Sequence, residues 1–357
     1  MSRIIDASVH VFFRDNDDMR AHMREPYKSR GIPDYEKDWY GAPGGEYVPW
    51  AKAPGVYPGS DPAFAGRQLF DERGVDLAIL HPMTRGLLPD RHLASAVAAA
   101  HNEMLVRRWL EDETYGERFR GTIRVVPDDI EGALRELARW KDHPRVVQIG
   151  VPMQSHVLYG KPQYWPLWAA AAEAGFPVAV HIEAGSGVEH APTPSGPPRT
   201  FAQYYSFMAL NYVYHLLNLI AEGVFESCPS LKFVFADGGG DMVTPFMWRM
   251  DVFGRPHLEQ TPWAPQMPSD YLPGHVYFVN GKVDGPPADG PGGADKASEG
   301  LRMTGKEDMV MFGSSYPHWD TGDHRGLPPA WTDEQRDKVL FRNAARLYGL
   351  ESALLPA

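Results

Sequence analysis

Residues 164–182, YWPLWAAAAEAGFPVAVHI, contain the pattern that decides the fold. An Ala-rich stretch with helical character, Tyr164–Ala174, is stopped by Gly175 and Pro177. A short β-branched run follows at once, Val178–Ile182, and such a run is typical of a buried strand. A helix that leads directly into a short apolar strand is one unit of an α/β protein with a parallel sheet.

The same alternation extends along the chain in both directions. The candidate strands are Arg3–Val9, Val75–Leu80, Gly121–Val126, Val146–Val151, Val178–Ile182, Lys232–Ala236, Val276–Val279 and Met309–Gly313. The helical patterns are Leu93–Leu110, Ile130–Lys141, Tyr164–Ala174, Phe201–Val224, Asp241–Phe253, Ala294–Met303 and Asp333–Tyr348. Eight such units in 357 residues predict a (β/α)₈ TIM barrel, with residues 1–357 as a single domain. An open doubly wound sheet shows the same alternation, but no GxGxxG follows the first strand.

Two stretches interrupt the repeat. Residues 12–73 lack periodicity and follow the first strand, so we interpret them as an insertion or lid over the barrel mouth. Four aromatic residues could line that lid: Trp39, Tyr40, Tyr47 and Trp50. Residues 280–293, rich in Gly and Pro, form a second insertion after strand seven. Both follow the carboxyl ends of strands, where a barrel of this kind keeps its active site.

The composition argues against several classes of protein. Ten Trp, sixteen Tyr and sixteen Phe provide enough apolar surface for a core, which excludes disorder. The formal net charge of −11 argues against a nucleic acid or an anionic membrane as a partner, and no apolar run is long enough to span a bilayer. Cys228 is the only cysteine, which excludes an intrachain disulfide and a zinc site of thiolates. The first residues do not resemble a signal peptide, so we expect a cytoplasmic protein.

Polar residues lie at the ends of four predicted strands. They are Asp6, Ser8 and His10 on strand one, His181 and Glu183 on strand five, Asp237 on strand six, and Ser315, Tyr316, His318 and Asp320 on strand eight. Alternation along strand one places Asp6, Ser8 and His10 on the same face, towards the barrel interior. Because the carboxyl ends of barrel strands meet at one mouth, these side chains predict a functional pocket.

The chain resembles the amidohydrolase-related proteins of the aminocarboxymuconate semialdehyde decarboxylase type, in the metal-dependent hydrolase superfamily. Five motifs in the expected order carry the resemblance: Ile4-Ile5-Asp6-x-x-x-His10, Val178–His181, Glu222–Phe225, Leu231–Gly239 and Gly313–Asp320. It extends from the first predicted strand to the last helix. It implies a site with one divalent metal, often zinc or manganese, and either hydrolysis or non-oxidative decarboxylation.

The metal ligands of that family are the residue two before the strand-one His, that His, a His on strand five and an Asp on strand eight. The resemblance therefore implies that His10 and His181 are retained metal ligands. Ser8 and Ser315 stand at the other two positions, and neutral hydroxyls are poor ligands for a divalent cation. We therefore predict a degenerate metal site and chemistry without a cofactor, with zinc or manganese bound only if the site survives.

A rival hypothesis keeps the metal. Asp237, Glu183 or Asp6 could complete a modified site with the two histidines. Asp237 can equally cap the helix that follows strand six, and Asp6 is better suited to bonding loop backbone beneath the site. The sequence leaves these roles open.

Three functions remain open. As an enzyme, the chain would act on a small aromatic or carbonyl-containing molecule by hydrolysis or non-oxidative decarboxylation. The catalytic candidates are His10, His181, Asp237 and His318, and the substrate-binding candidates are Ser8, Glu183, His190, Ser315, Tyr316 and Asp320. Acid–base chemistry by the catalytic group would also suit a C–C lyase, hydratase or cyclase of secondary metabolism. A catalytically dead barrel that only binds a ligand is the third alternative.

The other histidines and the aromatic helix lead to two further predictions. His101, His143, His156 and His257 lie in helical or connecting segments and are expected at the surface. The aromatic stripe at residues 204–214 has helical spacing and indicates core packing or a contact between subunits. We therefore expect a homodimer that binds a small-molecule substrate.

Overall fold

The computed structural model describes residues 3–30, 47–84, 88–183, 200–280, 296, 299, 302, 306–328 and 331–351. Within them, eight parallel strands pair in chain order and form a nearly closed barrel. The strands are β1 (Ile5–Val11), β2 (Leu77–Pro82), β3 (Phe119–Arg124), β4 (Val146–Pro152), β5 (Val178–His181), β6 (Phe233–Ala236), β7 (Val276–Asn280) and β8 (Val310–Phe312). All eight predicted strands are confirmed, and so is the TIM barrel.

Helices connect most of the strands. They are α1 (Asn16–His22), α2 (Tyr27–Arg30), α3 (Pro62–Gly66), α4 (Arg91–Met104), α5 (Ile130–Trp140), α6 (Trp165–Glu173), α7 (Phe201–Ala221), α8 (Val224–Ser227), α9 (Gly240–Gly254), α10 (Asp333–Asp337) and α11 (Asn343–Tyr348). Wider π-helical turns extend α3 and α4 and join α10 to α11, at Arg67–Glu72, Leu105–Leu110 and Lys338–Arg342. Short 3₁₀ turns lie at Pro49–Ala51, Gly116–Arg118, Pro162–Tyr164, Arg255–Gln260, Pro268–Tyr271, Lys306–Asp308 and His324–Gly326. No helix of the described residues is both long enough and apolar enough for a membrane span.

The strand side chains alternate between an outer core and an inner core. Val9, Phe233 and Phe235 pack outward against the helices, whereas Ala179 and Val234 belong to the inner core. Above the inner core lies a polar layer, whose members are Thr122, Gln148, His81 and Tyr348. The side-chain amide of Gln148 donates to the Thr122 hydroxyl at 2.8 Å, and the Tyr348 hydroxyl donates to Gln148 at 2.9 Å. Within the described residues the barrel interior is therefore packed with side chains, and the carboxyl ends of the strands are the expected place for a site.

The seam between the first and last strands is closed by main-chain hydrogen bonds. The backbone N–H of His10 donates to the carbonyl of Tyr316 at 2.7 Å, and that of Ser315 donates to Ser8 at 2.9 Å. The segment that follows β8 is therefore fixed against β1 at the barrel mouth.

The first strand corrects one expectation about side-chain direction. Its pairing with β2 shifts register between Asp6 and Val9, and this irregularity resets the alternation. Asp6 consequently lines a small cavity with Leu69 and Phe312, which belong to the outer core. Ser8 and His10 turn into the mouth, so the predicted common face of Asp6, Ser8 and His10 was wrong for Asp6.

Part of the predicted insertion is regular barrel structure. Within residues 12–73, α3 and its extension Arg67–Glu72 form the helix that connects β1 to β2. Asp61 caps this helix, since its carboxylate accepts the backbone N–H of Phe64 at 2.8 Å. Leu69 is buried on the barrel side of the helix. This helical part of residues 12–73 therefore belongs to the barrel repeat and not to an insertion. Trp39 and Tyr40 lie outside the described residues, and so do most of 280–293 and of the predicted helix Ala294–Met303.

Two buried histidines make the stability of the fold depend on pH. His101 is buried in α4, which corrects its expected surface position, and its Nδ1 donates to the carbonyl of Val97 at 2.8 Å. His215 is buried in α7, and its Nε2 donates to the carbonyl of Met153 at 2.8 Å. Burial lowers the pKa of each imidazole from 6.5 to about 4.

We expect the free energy of unfolding to fall as the pH drops from about 6.5 to about 4. In that window the unfolded chain binds protons at His101 and His215 that the folded chain excludes, at about 1.4 kcal/mol per pH unit for each histidine. Above pH 6.5 both states are neutral at these positions and the contribution is constant. Urea unfolding at several pH values measures the slope. His215→Gln should lower the slope of the unfolding free energy against pH by the share of one histidine, about 1.4 kcal/mol per pH unit. An unchanged slope would contradict the assignment.

Candidate active site

Three polar side chains meet at the barrel mouth. The Nε2 atom of His10, from β1, lies 2.8 Å from Nε2 of His181, at the end of β5. The Oδ2 atom of Asp237, which follows β6, lies 3.0 Å from the first nitrogen and 2.9 Å from the second. These three atoms form a nearly equilateral triangle, which we call the donor triangle. All three residues were predicted to share one pocket, and the structure brings them together.

The backbone conformation of Asp237 explains why its carboxylate points towards His10 and His181 at the barrel mouth. Alternation along β6 places Val234 and Ala236 in the inner core, so a continued strand would turn Asp237 outward. Instead Asp237 adopts a φ of 68°, in the left-handed region that non-glycine residues rarely occupy. Ser315 adopts a φ of 58°, and its hydroxyl donates to Oδ1 of Asp237 at 3.0 Å. Such backbone strain costs about 1–3 kcal/mol and concentrates at functional sites.

The hydrogen bonds of His181 determine which nitrogen faces the donor triangle. Its Nδ1 lies 2.5 Å from the carbonyl of Ile182, which can only accept, so Nδ1 carries the proton. Burial lowers the pKa of His181 to about 4, so the ring is neutral at pH 7. The imidazole of His81 stacks beneath it, with ring centroids 4.7 Å apart. The lone pair of Nε2 therefore points to the centre of the triangle.

His318 forms the upper side of the site. Its Nδ1 lies 2.6 Å from Nδ1 of His10, so one of these nitrogens donates and the other accepts. When His10 is the donor, its Nε2 lone pair faces the donor triangle. Phe12 and Tyr47 pack against the His318 ring, with centroids 5.8 and 5.6 Å away. His318 is half-buried, whereas His10 and His181 are buried.

The charges at the donor triangle suit a divalent cation. Burial alone would raise the pKa of Asp237, but its hydrogen bonds with His10 and His181 hold that pKa well below the usual range. The centre therefore combines one carboxylate with two imidazoles. Ligands held about 2.1 Å from one ion and at right angles lie about 3.0 Å apart, close to the observed spacing. The donor set suits zinc or manganese in its chemistry, and the spacing suits an octahedral ion such as manganese.

Asp237, and neither Asp6 nor Glu183, is the carboxylate beside the two histidines. This arrangement favours the rival hypothesis of a modified metal site. The carboxylate of Asp6 accepts the backbone N–H groups of Ser8 at 3.2 Å and Ser314 at 2.8 Å, which is the supporting role expected for it. Burial raises the pKa of Asp6 to about 6. The Ser8 hydroxyl lies 3.4 Å from Nε2 of His10, at the edge of the site.

A second polar cluster lies beside the donor triangle. Arg124, the last residue of β3, forms an ion pair with Glu183, which follows His181 by two residues. The hydroxyl of Thr84 donates to the other oxygen of Glu183. Arg124 is 1% exposed, and burial lowers its pKa to about 9, so it remains protonated at neutral pH. The predicted site residue Glu183 therefore acts as the partner of a buried cation.

The structure places the other predicted site residues away from the centre. The Tyr316 side chain is buried in the outer core, where its hydroxyl donates to Gln68 at 2.7 Å and is unavailable to a ligand at the mouth. Asp320 accepts a hydrogen bond from the Tyr205 hydroxyl near the rim. His190 lies outside the described residues.

Sequence reasoning missed Arg124 and His81. Both belong to the inner faces of their strands, Arg124 with Thr122 on β3 and His81 on β2. The signal was present, because alternation from Thr122 places Arg124 on the inner face at a carboxyl end. The five motifs that carry the family resemblance contain no residue of β2 or β3, so the resemblance points to neither side chain.

Comparison with protein families identifies the chain's relatives. The family model described as Amidohydrolase matches residues 5–350. Among curated proteins, a gamma-resorcylate decarboxylase from Polaromonas sp. strain JS666 is 27% identical over 207 residues. That match covers 52% of this chain and 57% of the relative, so the chain spans little more than half the length of that protein.

Solved structures share the whole fold. A dihydroxybenzoic acid decarboxylase from Polaromonas sp. JS666, with bound manganese and the inhibitor 2-nitroresorcinol, is 21% identical with a TM-score of 0.68, over 100% of both chains. An amidohydrolase from Mycobacterium avium subsp. paratuberculosis K-10 is 19% identical with a TM-score of 0.73, over 98% of this chain and 99% of that chain. These similarities support the barrel and its strand order. Because the family model extends over nearly the whole sequence, the chain belongs to the amidohydrolase family.

Proposed function

We propose that the protein is a metal-dependent decarboxylase of a small aromatic carboxylic acid. The observation that carries the proposal is the donor triangle of His10, His181 and Asp237, whose atoms lie 2.8–3.0 Å apart at the barrel mouth. The gamma-resorcylate decarboxylase among the relatives, and the decarboxylase that binds manganese, support the choice of reaction.

The donor triangle would hold zinc or manganese. When bound, the ion would supply positive charge that attracts the anionic oxygens of a substrate. His181 is fixed for this role by its bond to the carbonyl of Ile182, and Asp237 by the Ser315 hydroxyl. The protein offers three strong donors, because Ser8 and Ser315 bring hydroxyls where the resemblance implied stronger ligands.

His318 is the residue that we assign to proton transfer. Decarboxylation breaks the bond between the ring and the carboxyl carbon, releases CO₂, and requires a proton at the ring carbon. Burial holds the pKa of His318 well below its usual value, so the ring is neutral at rest. It would take up a proton from solvent only as it passes that proton to the ring carbon, and it is neutral again afterwards. Its half-buried position allows solvent to restore the proton, and Phe12 and Tyr47 hold its ring in place.

The direct test is turnover of hydroxybenzoates by the manganese-loaded protein. We expect CO₂ release and loss of substrate absorbance with at least one aromatic acid, such as 2,6-dihydroxybenzoate, and loss of activity after treatment with a chelator. Turnover that persists without metal would support the metal-independent lyase, hydratase or cyclase chemistry instead. No turnover across a panel of aromatic acids, esters and lactones would favour a barrel that only binds.

The assembly remains a proposal as well. Helix α9 exposes Trp248, Val252 and Phe253, with 48%, 65% and 62% of each residue accessible to solvent. We propose that two chains associate, because apolar surface of this kind is commonly covered by a partner. Light scattering should give about twice the chain mass of 39.9 kDa, and the mass of a monomer would contradict the proposal. A cytoplasmic location stays a prediction.

A further inference from the structure

We infer that Arg124 is a specificity-determining residue that binds the carboxylate of the substrate. The inference rests on the proposed function, since it takes the substrate to be an aromatic acid. Neither the family motifs nor the donor triangle includes this residue. Four observations support the assignment: the position of Arg124, its hydrogen-bonding state, the space around it and the charge of its partner.

Arg124 reaches the same mouth as the donor triangle. It lies on the inner face of β3, in alternation with Thr122, whose hydroxyl is part of the polar layer in the barrel interior. Its guanidinium ends beside Glu183, two residues beyond His181. A ligand held at the triangle would therefore lie next to the positive charge of Arg124.

The guanidinium keeps donors without a partner. Among the described residues, Nε and Nη1 of Arg124 form no hydrogen bond, although both atoms are buried. Nη2 faces Glu183 in the ion pair. Folded proteins rarely bury a charged donor that nothing accepts, and exceptions call for a ligand or a functional role. The planar guanidinium matches the geometry of a carboxylate better than any other side chain.

Neighbouring residues leave space for the Arg124 side chain and hold its backbone. Gly150 lies opposite Arg124 on β4, and a Cβ atom there would come within 2.6 Å of Nη1 and 3.1 Å of Cδ. Any larger residue would displace the guanidinium. Asn102 holds the backbone of Arg124 from both sides, because its side chain accepts the N–H at 2.7 Å and donates to the carbonyl at 2.8 Å. The backbone of Arg124 is therefore fixed before a ligand arrives.

Glu183 explains how the cation is tolerated in the free protein. Its carboxylate balances the charge of Arg124, and the Thr84 hydroxyl holds that carboxylate on its other oxygen. The pair leaves two nitrogen atoms of the guanidinium for the oxygens of a bound carboxylate. Arg124 thus distinguishes an aromatic acid from the phenol that remains after CO₂ has left.

The test compares two ligands that differ by one carboxylate. Calorimetry with the manganese-loaded protein would measure binding of 2,6-dihydroxybenzoate and of resorcinol to the wild type, Arg124→Lys and Arg124→Gln. Both variants should weaken binding of the acid at least tenfold and binding of resorcinol less than twofold. In turnover, the loss should appear mainly in KM.

Arg120→Gln is the matched control. Arg120 lies two residues earlier on the same face of β3 and is also buried, but its Nη1 donates to the carbonyls of Glu117 and Phe119 at the opposite end of the barrel. This variant should bind both ligands as the wild type does. Because Arg124→Gln leaves Glu183 without its partner, the double variant Arg124→Gln/Glu183→Gln removes both charges together and keeps the test open if the single variant unfolds.

The outcomes separate this inference from the proposed function. Acid binding that depends on Arg124, without release of CO₂, would support the carboxylate site and refute the decarboxylase. Release of CO₂ with an unchanged KM in the Arg124 variants would refute the carboxylate site alone. Equal weakening of the acid and of resorcinol would also overturn the inference, and failure of the wild type to bind any aromatic acid would overturn both.

Discussion

Asp237→Ala should lower the affinity for manganese by more than about 100-fold and reduce turnover in parallel. Asp237 supplies the one carboxylate of the donor triangle, and without it two neutral imidazoles face a doubly charged ion. Metal content after gel filtration, measured by mass spectrometry, gives a readout that is independent of activity. His10→Ala and His181→Ala should behave alike and lower turnover about 10²-fold or more.

Ser315→Ala is the graded control for this prediction. The Ser315 hydroxyl contacts Oδ1 of Asp237, and we assign it to positioning that carboxylate. Its loss should weaken metal binding about tenfold, which is less than removal of the carboxylate itself. One equivalent of tightly bound metal in Asp237→Ala would show that the donor triangle is not the metal site.

His318→Gln should reduce turnover by about 10²–10⁴-fold while the bound metal is retained. His318 contacts His10 through Nδ1 and does not belong to the donor triangle, so its loss removes the proposed proton donor and leaves the three metal ligands in place. The measurements are kcat of the manganese-loaded variant and its metal content. His143→Gln, at a distant half-buried position, should match the wild type. A variant of His318 that loses metal and turnover together would indicate a structural role.

The sequence predicted the architecture because barrel strands repeat a simple pattern. Short β-branched runs separated by helical stretches identified all eight strands, and strand ends identified His10, His181 and Asp237 as neighbours. The periodicity of the sequence does not show where the backbone departs locally from a regular strand. The register shift in β1 turned Asp6 outward, and the left-handed conformation of Asp237 turned its carboxylate inward.

Other residues escaped prediction because their environment comes from tertiary packing. His101 lies in a helical pattern that shows no reason for burial, yet it is buried and its ring packs against that of Phe13. Alternation along β3 places Arg124 on the inner face, but the space left by Gly150 and the ion pair with Glu183 come from tertiary packing. Such features depend on residues far apart in the chain, and one sequence does not place them together.

The main-chain seam between β1 and the segment after β8 has a consequence for how the protein acquires its site. His10 and His318 touch across this seam although they are separated by 308 positions in the chain. Contacts of such high sequence separation carry a large loop-closure cost and form late in folding. During synthesis, His10 leaves the ribosome long before its partner exists. The proposed proton donor therefore reaches the metal ligands only when the whole barrel has closed, and partly folded chains should show no turnover.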